Sequence, residues 1–399
     1  MTTTVETVTG AAETMVLNMG PQHPSTHGVL RVVLELNGER VVKARPVIGY
    51  LHTGIEKTCE AKTYSQVIPL TDRIDYLAPL SNNLCYCLAV EKLLGLEVPK
   101  RAQYIRVLLT ELTRISSHLV WVGTHAIDLG AMSVFLYSFR EREELQKIFE
   151  MVSGQRMMTS YFRIGGLALE PPPGYLDRIQ RFLDVFPSRI QEYEDLLTKN
   201  RIWMGRTQGV GTLSAEDAIA FGVSGPSLRG SGVAYDVRKF FPYSSYEEFD
   251  FDVPVQTAGD CYARYLVRVA ELRESMKIVR QAIEKIPAEG PIRTNAPGIV
   301  PPPREEMKTS IEGLIYHFKI FTEGFATPPG EVYQAVESPR GELGFFVASD
   351  GSAKPHRVKV RAPSFVNLQA LPRLVEGRLL ADVVACIGTI DIVLGEVDR

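Results

Sequence analysis

The chain has 399 residues, of which 45% are hydrophobic and 23% are charged, as is typical of a globular protein with a large core. A formal net charge of -3 gives no electrostatic footprint for nucleic acid or an anionic membrane. No apolar run approaches the roughly 20 residues that span a bilayer, so we expect membrane contact only through partners.

The N-terminal part predicts a small antiparallel sheet over residues 15–54, after a flexible, polar segment at 1–14 that is neither a signal nor a transit peptide. Residues 15–19 form a short apolar strand, and Asn37-Gly38 predicts a hairpin turn into a third strand. One face of the second strand is apolar: Leu30, Val32, Leu34 and Leu36.

The loop between the first two strands reads Gly20-Pro21-Gln22-His23-Pro24-Ser25-Thr26-His27-Gly28. Its two prolines fix their own φ angles and restrict the residues before them, which excludes a helix. The two histidines therefore lie on a stiff loop at one end of the sheet.

Apolar positions at three- and four-residue steps predict a long-helix bundle over 55–328, with a mixed insertion at about 205–254. The first helical region is interrupted near Pro69, and the helix that follows Pro99 fades at Gly123. The remaining long helices are predicted over 133–152, 176–197 with a kink at Pro187, and 262–286.

The C-terminal part, 329–399, predicts strands at 332–336, 344–349 and 357–360, short helices at 364–371 and 379–388, and a buried tail. The fold class is therefore α+β and mainly α, a helix bundle with small antiparallel sheets in its N- and C-terminal parts.

Ionisable groups in unusual contexts are the candidates for chemistry, because no Walker loop, dinucleotide fingerprint, zinc motif or hydrolase elbow occurs. His23 and His27 are either turn histidines bonded to backbone or functional groups. Asp128 either caps the helix at 133 or is a buried carboxylate paired with a histidine. Tyr76 is either packing or a phenol for proton transfer, and Arg340 either forms a surface ion pair or belongs to a site.

Several stretches, in this order, resemble the D-subunit family (NuoD type) of bacterial proton-translocating NADH:quinone oxidoreductase, respiratory complex I. The most specific motif is the histidine loop, and the match runs from Val16 to Arg399. The stretches are 20–30, 49–58, 72–76, 123–131, 161–166, 227–238, 337–346, 361–369 and 391–399.

That family is similar to the large subunit of nickel–iron hydrogenases, which carry R-x-C-x-x-C and D-P-C-x-x-C motifs. The corresponding cysteine positions here hold Asp75, Ala78, Val393 and Glu396. Soft metals need thiolates, so we expect no nickel–iron centre, and the vacated cavity, with Arg340 beside it, would take another ligand. The five cysteines lack paired spacing and predict buried free thiols without a cluster: Cys59, Cys85, Cys87, Cys261 and Cys386.

The resemblance implies a quinone headgroup as that ligand and a hydrogenase-large-subunit-like fold. It implies that His27 and Tyr76 hydrogen-bond the two carbonyl oxygens, that Asp128 pairs with His27, and that Thr124 contributes to the quinone site. Two-electron reduction leaves a dianion unless protons arrive, so two donors near these oxygens lower the barrier. Loss of the His27 proton would change its interaction with Asp128 and offers a trigger for proton pumping.

The implied partners are the complex I subunits B, C, I and H, of which B carries the terminal Fe–S cluster and H lies in the membrane and shares the quinone channel. The electrons are implied to come from that terminal cluster, near Thr53, Arg73 and Met158. Many relatives have Arg in place of Thr53 and His in place of Met158, so we expect a cluster of low potential that suits menaquinone. The implied location is peripheral, on the cytoplasmic side of the bacterial inner membrane.

Two alternatives remain open. One is a scaffold subunit of the same complex, in which His27 and Tyr76 would be replaceable. The other is the equivalent subunit of a ferredoxin-fed or photosynthetic relative, which would use the same site with another electron donor.

Overall fold

The computed structural model describes residues 14–399, so the predicted flexible segment lies, except for Thr14, outside the described residues. Helices predominate over small antiparallel sheets, which confirms the predicted class. The strands are β1 (Met15–Met19), β2 (Arg31–Asn37), β3 (Arg40–Val47), β4 (Phe162–Arg163), β5 (Gly166–Leu167), β6 (Gly330–Ser338), β7 (Gly341–Ser349) and β8 (Arg357–Arg361).

The helices fall into long bundle members and shorter connecting elements. In the first half of the chain they are α1 (Ile55–Glu60), α2 (Tyr64–Thr71), α3 (Pro79–Leu94), α4 (Lys100–Asp128), α5 (Met132–Ser153) and α6 (Tyr175–Leu197). The second half contains α7 (Arg201–Thr207), α8 (Ala215–Ala220), α9 (Pro226–Arg229), α10 (Val237–Phe240), α11 (Cys261–Lys285), α12 (Glu306–Thr309), α13 (Ile311–Thr322), α14 (Pro363–Leu368), α15 (Leu371–Val375), α16 (Leu380–Ile390) and α17 (Leu394–Asp398). Within 14–399, no helix is both long and apolar enough to cross a membrane.

The N-terminal sheet has the order β1-β2-β3, and the four apolar side chains predicted for one face of β2 are buried. The hairpin turn differs from the prediction by one residue. Asn37 still pairs with Arg40, so the turn consists of Gly38 and Glu39 rather than Asn37 and Gly38. The histidine loop joins β1 to β2 and contains one turn of 3-10 helix, Pro24–Thr26.

Helix α4 is central to the bundle, packing against α5 and α11, and it runs past its predicted end at Gly123 to Asp128. Gly123 does not end the helix but lets α5 approach, because a Cβ there would lie 2.4 Å from the Ser138 Oγ. The predicted break at Pro69 is also displaced, since Pro69 lies inside α2. A proline removes one helical hydrogen bond without necessarily ending the helix.

The C-terminal part contains the predicted three-stranded sheet, with the order β6-β7-β8. Its first hairpin turns through Pro339 and Arg340, because Ser338 pairs with Gly341. The tail is buried and forms the short helix α17, which is too short for periodicity to predict. The described residues of the insertion at 205–254 contain turns and short helices but no strand, so it is not mixed as predicted.

Buried charged side chains hold α4, α9, α10, α11 and β6 together. The Arg229 guanidinium contacts Glu271 at 2.7 Å and Glu337 at 2.8 Å, with all three side chains buried. Burial opposes the ionisation of Glu111, but the nearby guanidiniums of Arg114 and Arg238 outweigh it and lower the pKa of Glu111 to about 2. These charges are stable only because each has partners in the interior.

Arg229→Met should destabilise the fold by about 3–5 kcal/mol, because it leaves two buried carboxylates without their guanidinium. The matched control is Arg273→Met, which removes an exposed Arg273–Glu194 pair and should cost less than about 1 kcal/mol. The free energy of unfolding from chemical denaturation of each purified variant checks this. Equal losses in both variants would contradict a stabilising role for the buried charges.

Candidate functional site

The histidine loop is held rigidly by backbone contacts. Gly20 has a φ of +84°, and a Cβ there would lie 2.1 Å from the Leu30 carbonyl oxygen, so only glycine fits. The buried Thr26 hydroxyl donates to the His23 carbonyl oxygen at 3.0 Å. His27 adopts the left-handed conformation at φ 55°, directly after the 3-10 turn. The loop therefore presents His27 in one fixed backbone geometry.

The His27 side chain is exposed, yet protein surrounds it on most sides, as in an open concave site. Burial by this surrounding protein, followed by the charge of Arg340, lowers the pKa of His27 below its ordinary value. The imidazole is therefore neutral at pH 7. This corrects the expectation that His27 stands ready as an imidazolium, because it faces a cation rather than a carboxylate.

Asp128 is the last residue of α4 and contacts the first half of the histidine loop. Its Oδ1 accepts a hydrogen bond from the Ser25 hydroxyl at 3.4 Å. Burial raises the pKa of Asp128, against the opposing effects of Ser25 and His23. Both Asp128 and His27 are described, and no hydrogen bond or ion pair joins them, so the predicted pair is not formed. Nor does Asp128 cap α5, whose N-cap residue is Ala131.

Asp75 and Tyr76 lie on the loop that connects α2 to α3. Asp75 accepts hydrogen bonds from the backbone N–H groups of Leu77 and Ala78, and its Oδ2 lies 2.6 Å from the Arg340 Nη1. Burial raises the pKa of the half-buried Tyr76; the Asp75 charge adds to this, and Arg340 partly offsets it. Tyr76 is therefore a neutral phenol whose backbone is fixed by the neighbouring ion pair.

Arg340 is 1% exposed, so the interpretation as a surface ion pair is wrong. Its guanidinium contacts Asp75 at 2.6 Å and Asp391 at 3.5 Å. The Asn367 amide also donates to the Arg340 carbonyl oxygen at 3.1 Å, which fixes the hairpin turn. Because its charge shifts the pKa values of both His27 and Tyr76, Arg340 places these two residues in one electrostatic environment.

The buried C-terminal tail packs directly on the loop of Tyr76. A Cβ on Gly395 would lie 2.9 Å from the Arg73 carbonyl oxygen, so glycine permits this close approach. The structure thus brings together two sequence-distant parts of the predicted vestigial metal site. Its four cysteine-equivalent positions are all buried: Asp75, Ala78, Val393 and Glu396.

The residues expected near a partner's cluster lie at least partly open to solvent. Thr53 and Arg73 are exposed, and Met158 is half-buried. The segment before Thr53 is held by the Asp398 carboxylate, which accepts the backbone N–H groups of Gly49 at 2.8 Å and Leu51 at 2.7 Å. Sequence reasoning missed this role of Asp398, although a second acid two residues after Glu396 was a signal.

Thr124 is half-buried in the last turns of α4. Its hydroxyl donates to the Val120 carbonyl oxygen at 2.9 Å, so its proton is used within its own helix. The oxygen remains available as an acceptor. The structure thus leaves Thr124 able to receive a hydrogen bond from a ligand.

All five cysteines are buried and free, as predicted. Among residues 14–399, no group of three or more His, Cys, Asp or Glu side chains has the geometry of a metal site. The acidic side chains of the vestigial positions instead surround a guanidinium. The donor set therefore does not fit a nickel–iron centre.

Comparison with known proteins gives a consistent result. The family model described as "Respiratory-chain NADH dehydrogenase, 49 Kd subunit" matches residues 128–399. The NADH-quinone oxidoreductase D-subunit 2 of Koribacter versatilis is 67% identical over 390 residues, covering 98% of this chain and 97% of that protein. The D-subunit 1 of Solibacter usitatus is 66% identical over 385 residues, covering 96% and 94%. The D-subunit of Geotalea uraniireducens is 59% identical over 389 residues, covering 98% and 100%.

The separated chain should bind neither nickel nor an iron–sulfur cluster, because the vestigial positions offer carboxylates around Arg340 instead of thiolates. Elemental analysis of the chain, purified apart from its partners, checks this. Nickel or iron at one or more atoms per chain would contradict it.

Proposed function

Because the chain belongs to the family of the 49 kDa subunit of respiratory-chain NADH dehydrogenases, we propose that it is the quinone-reducing core subunit of a proton-translocating NADH-quinone oxidoreductase. The chain is thus a subunit of an oxidoreductase complex. One observation carries the finer proposal. His27 and Tyr76 both reach the surface, both can donate a hydrogen bond, and both lie within the field of the buried Arg340.

In this proposal the quinone headgroup lies between His27 and Tyr76, with one carbonyl oxygen on each. The neutral imidazole donates its N–H, and the phenol donates its O–H. As two electrons enter the quinone, negative charge develops on these oxygens, and donors already in place stabilise it. The same negative charge raises the pKa of His27 against the effect of Arg340, so His27 gains proton affinity as the quinone is reduced.

Asp128 and Thr124 support this site in different ways. Asp128 acts through the Ser25 hydroxyl and so holds the loop that carries His27. Thr124 offers an acceptor on the face of α4 near the loop. Movement of the histidine loop relative to Asp128 would carry the charge change at His27 toward the pumping machinery.

The electrons reach the quinone from outside the chain, whose described residues include no set of cluster ligands. We propose as neighbours the complex I subunits B, C, I and H, on the cytoplasmic side of the bacterial inner membrane. The Fe–S cluster held by the first of these faces Thr53, Arg73 and Met158. One face of α13 is apolar and exposed, which favours membership of an assembly: Ile311, Leu314, Ile315, Phe318 and Phe321.

Tyr76→Phe and His27→Ala should each lower quinone reduction by roughly 10²-fold or more, because each removes one donor at a reacting oxygen. Asp128→Asn should lower it less, since the amide keeps the shape and can still accept from Ser25. The measurement is NADH:quinone turnover of the purified complex, with NADH:ferricyanide turnover as a measure of electron entry. Tyr137→Phe, which changes an exposed phenol on α5, is the matched control.

Wild-type quinone turnover in either Tyr76→Phe or His27→Ala would contradict these roles and favour the scaffold alternative. Loss of ferricyanide turnover together with quinone turnover would place the defect in electron entry. The expected pattern is loss of quinone turnover alone.

The partner's cluster should have a midpoint potential that is low and nearly independent of pH. A histidine at position 158 would gain a proton when the cluster gains an electron, whereas the Met158 thioether has no proton to exchange. Thr53 also removes a fixed positive charge that would stabilise the reduced cluster. Redox titration followed by EPR at several pH values around neutrality checks this. A slope near the one-electron limit of about 59 mV per pH unit would contradict it.

A further inference from the structure

Three carboxyl groups are buried around Arg340, and one of them has no ion pair. Asp75 and Asp391 contact the guanidinium at 2.6 Å and 3.5 Å. Glu396 makes neither contact. Its Oε2 accepts the backbone N–H of Ser364 at 2.9 Å, and its Oε1 is buried without a hydrogen-bond partner.

The charge balance of this cluster favours one bound proton. A second guanidinium, that of Arg268, is within electrostatic reach of Asp391 but is shared with the carboxylate of Glu271. An unpaired carboxylate in the interior is costly, so the group without an ion pair keeps its proton. Burial, followed by the charge of Asp75, raises the pKa of Glu396 to about 7, against the opposing effects of Arg340 and Ser364.

The Glu396 carboxyl also belongs to the segment that packs on Tyr76. A Cβ on Gly395, the residue before Glu396, would lie 3.3 Å from the Tyr76 Cε1 atom. On the other side of the contact, Asp75 directly precedes Tyr76. The Arg340 charge reaches both the phenol and the Glu396 carboxyl. A buried proton is therefore stored beside the phenol that the proposed function uses.

We propose that Glu396 holds the proton that restores Tyr76 after the phenol has protonated the reduced quinone. In the first step the Tyr76 O–H bond breaks and its proton moves to the quinone oxygen, while the electrons come from NADH through the complex. In the second step the Glu396 O–H bond breaks and the phenolic O–H forms again. The carboxylate that remains lies in the field of Arg340 until solvent returns a proton.

The direction of the second step follows from the two proton affinities. The pKa of Tyr76 is raised above the ordinary phenol value of about 10, so a phenolate there takes a proton from a carboxyl near 7. Glu396 acts through Tyr76 and does not touch the quinone. The inference rests on the proposed function of Tyr76 and adds the source of its proton.

The test is the pH profile of quinone turnover in the assembled complex, normalised to NADH:ferricyanide turnover. Wild-type turnover should fall as the pH rises through about 7, where Glu396 loses its proton. Glu396→Gln, which holds no exchangeable acid proton, should lose at least roughly tenfold in turnover, the low end of proton-transfer effects or below. It should also lose the limb near neutrality.

Two further variants separate proton storage from packing. Glu396→Asp should recover turnover with its limb at lower pH, because aspartic acid is the stronger acid. Ser364→Ala should move the limb to higher pH, because the Ser364 hydroxyl favours the charged form of Glu396. Identical wild-type limbs in both variants would overturn the proposal, even if Glu396→Gln fails to assemble.

Infrared difference spectroscopy on the wild-type complex gives a readout that does not depend on turnover. A carboxylic-acid C=O band that disappears near pH 7 and shifts in Glu396→Asp supports the stored proton, and the absence of such a band overturns it. Wild-type quinone turnover in Tyr76→Phe would instead refute the proposed function. Loss of turnover in Tyr76→Phe, with wild-type turnover and pH profile in Glu396→Gln, would refute this inference alone.

Discussion

The ion pair between Arg340 and Asp75 is the interaction on which the site depends. It joins the β6–β7 turn to the loop after α2 across 265 positions in the sequence, and both side chains are fully buried. Removing one partner of such a pair leaves an uncompensated charge and costs about 3–5 kcal/mol. Because Asp75 also binds the backbone of its own loop, this single contact fixes the position of Tyr76. The same guanidinium sets the charge state of His27.

Concentrating ions in the interior also determines where protons lie. In the bundle, the guanidiniums of Arg114, Arg229 and Arg238 keep the Glu111 and Glu271 carboxylates ionised. Around Arg340 the carboxyls outnumber the cations, and the deficit appears as raised pKa values at Asp391 and Glu396. The two clusters are connected electrostatically through Arg268. A scaffold built for soft-metal chemistry in related enzymes thus becomes, with carboxylates in place of thiolates, a scaffold for protons.

Periodicity and motif order predicted much of this molecule, but not its charge contacts. The buried face of β2, the span of α11 and the C-terminal sheet follow from local patterns and are confirmed. Local signals misled where tertiary contacts decide. Gly123 resembles a helix end but serves a helix–helix contact. Arg340 resembles a surface turn residue, yet its partners Asp75 and Asp391 are far away in sequence. The separation of Asp128 from His27 depends on the path of a loop, which composition does not determine.

The central claim is that His27 and Tyr76 contact the quinone headgroup. Photo-crosslinking of the assembled complex with a quinone that carries a photoreactive group on its ring tests this directly, with peptide mapping of the products. The account predicts labelling in residues 20–30 and 72–78 of this chain, with loss of the label when excess quinone competes. Competed labelling confined to other subunits would contradict it.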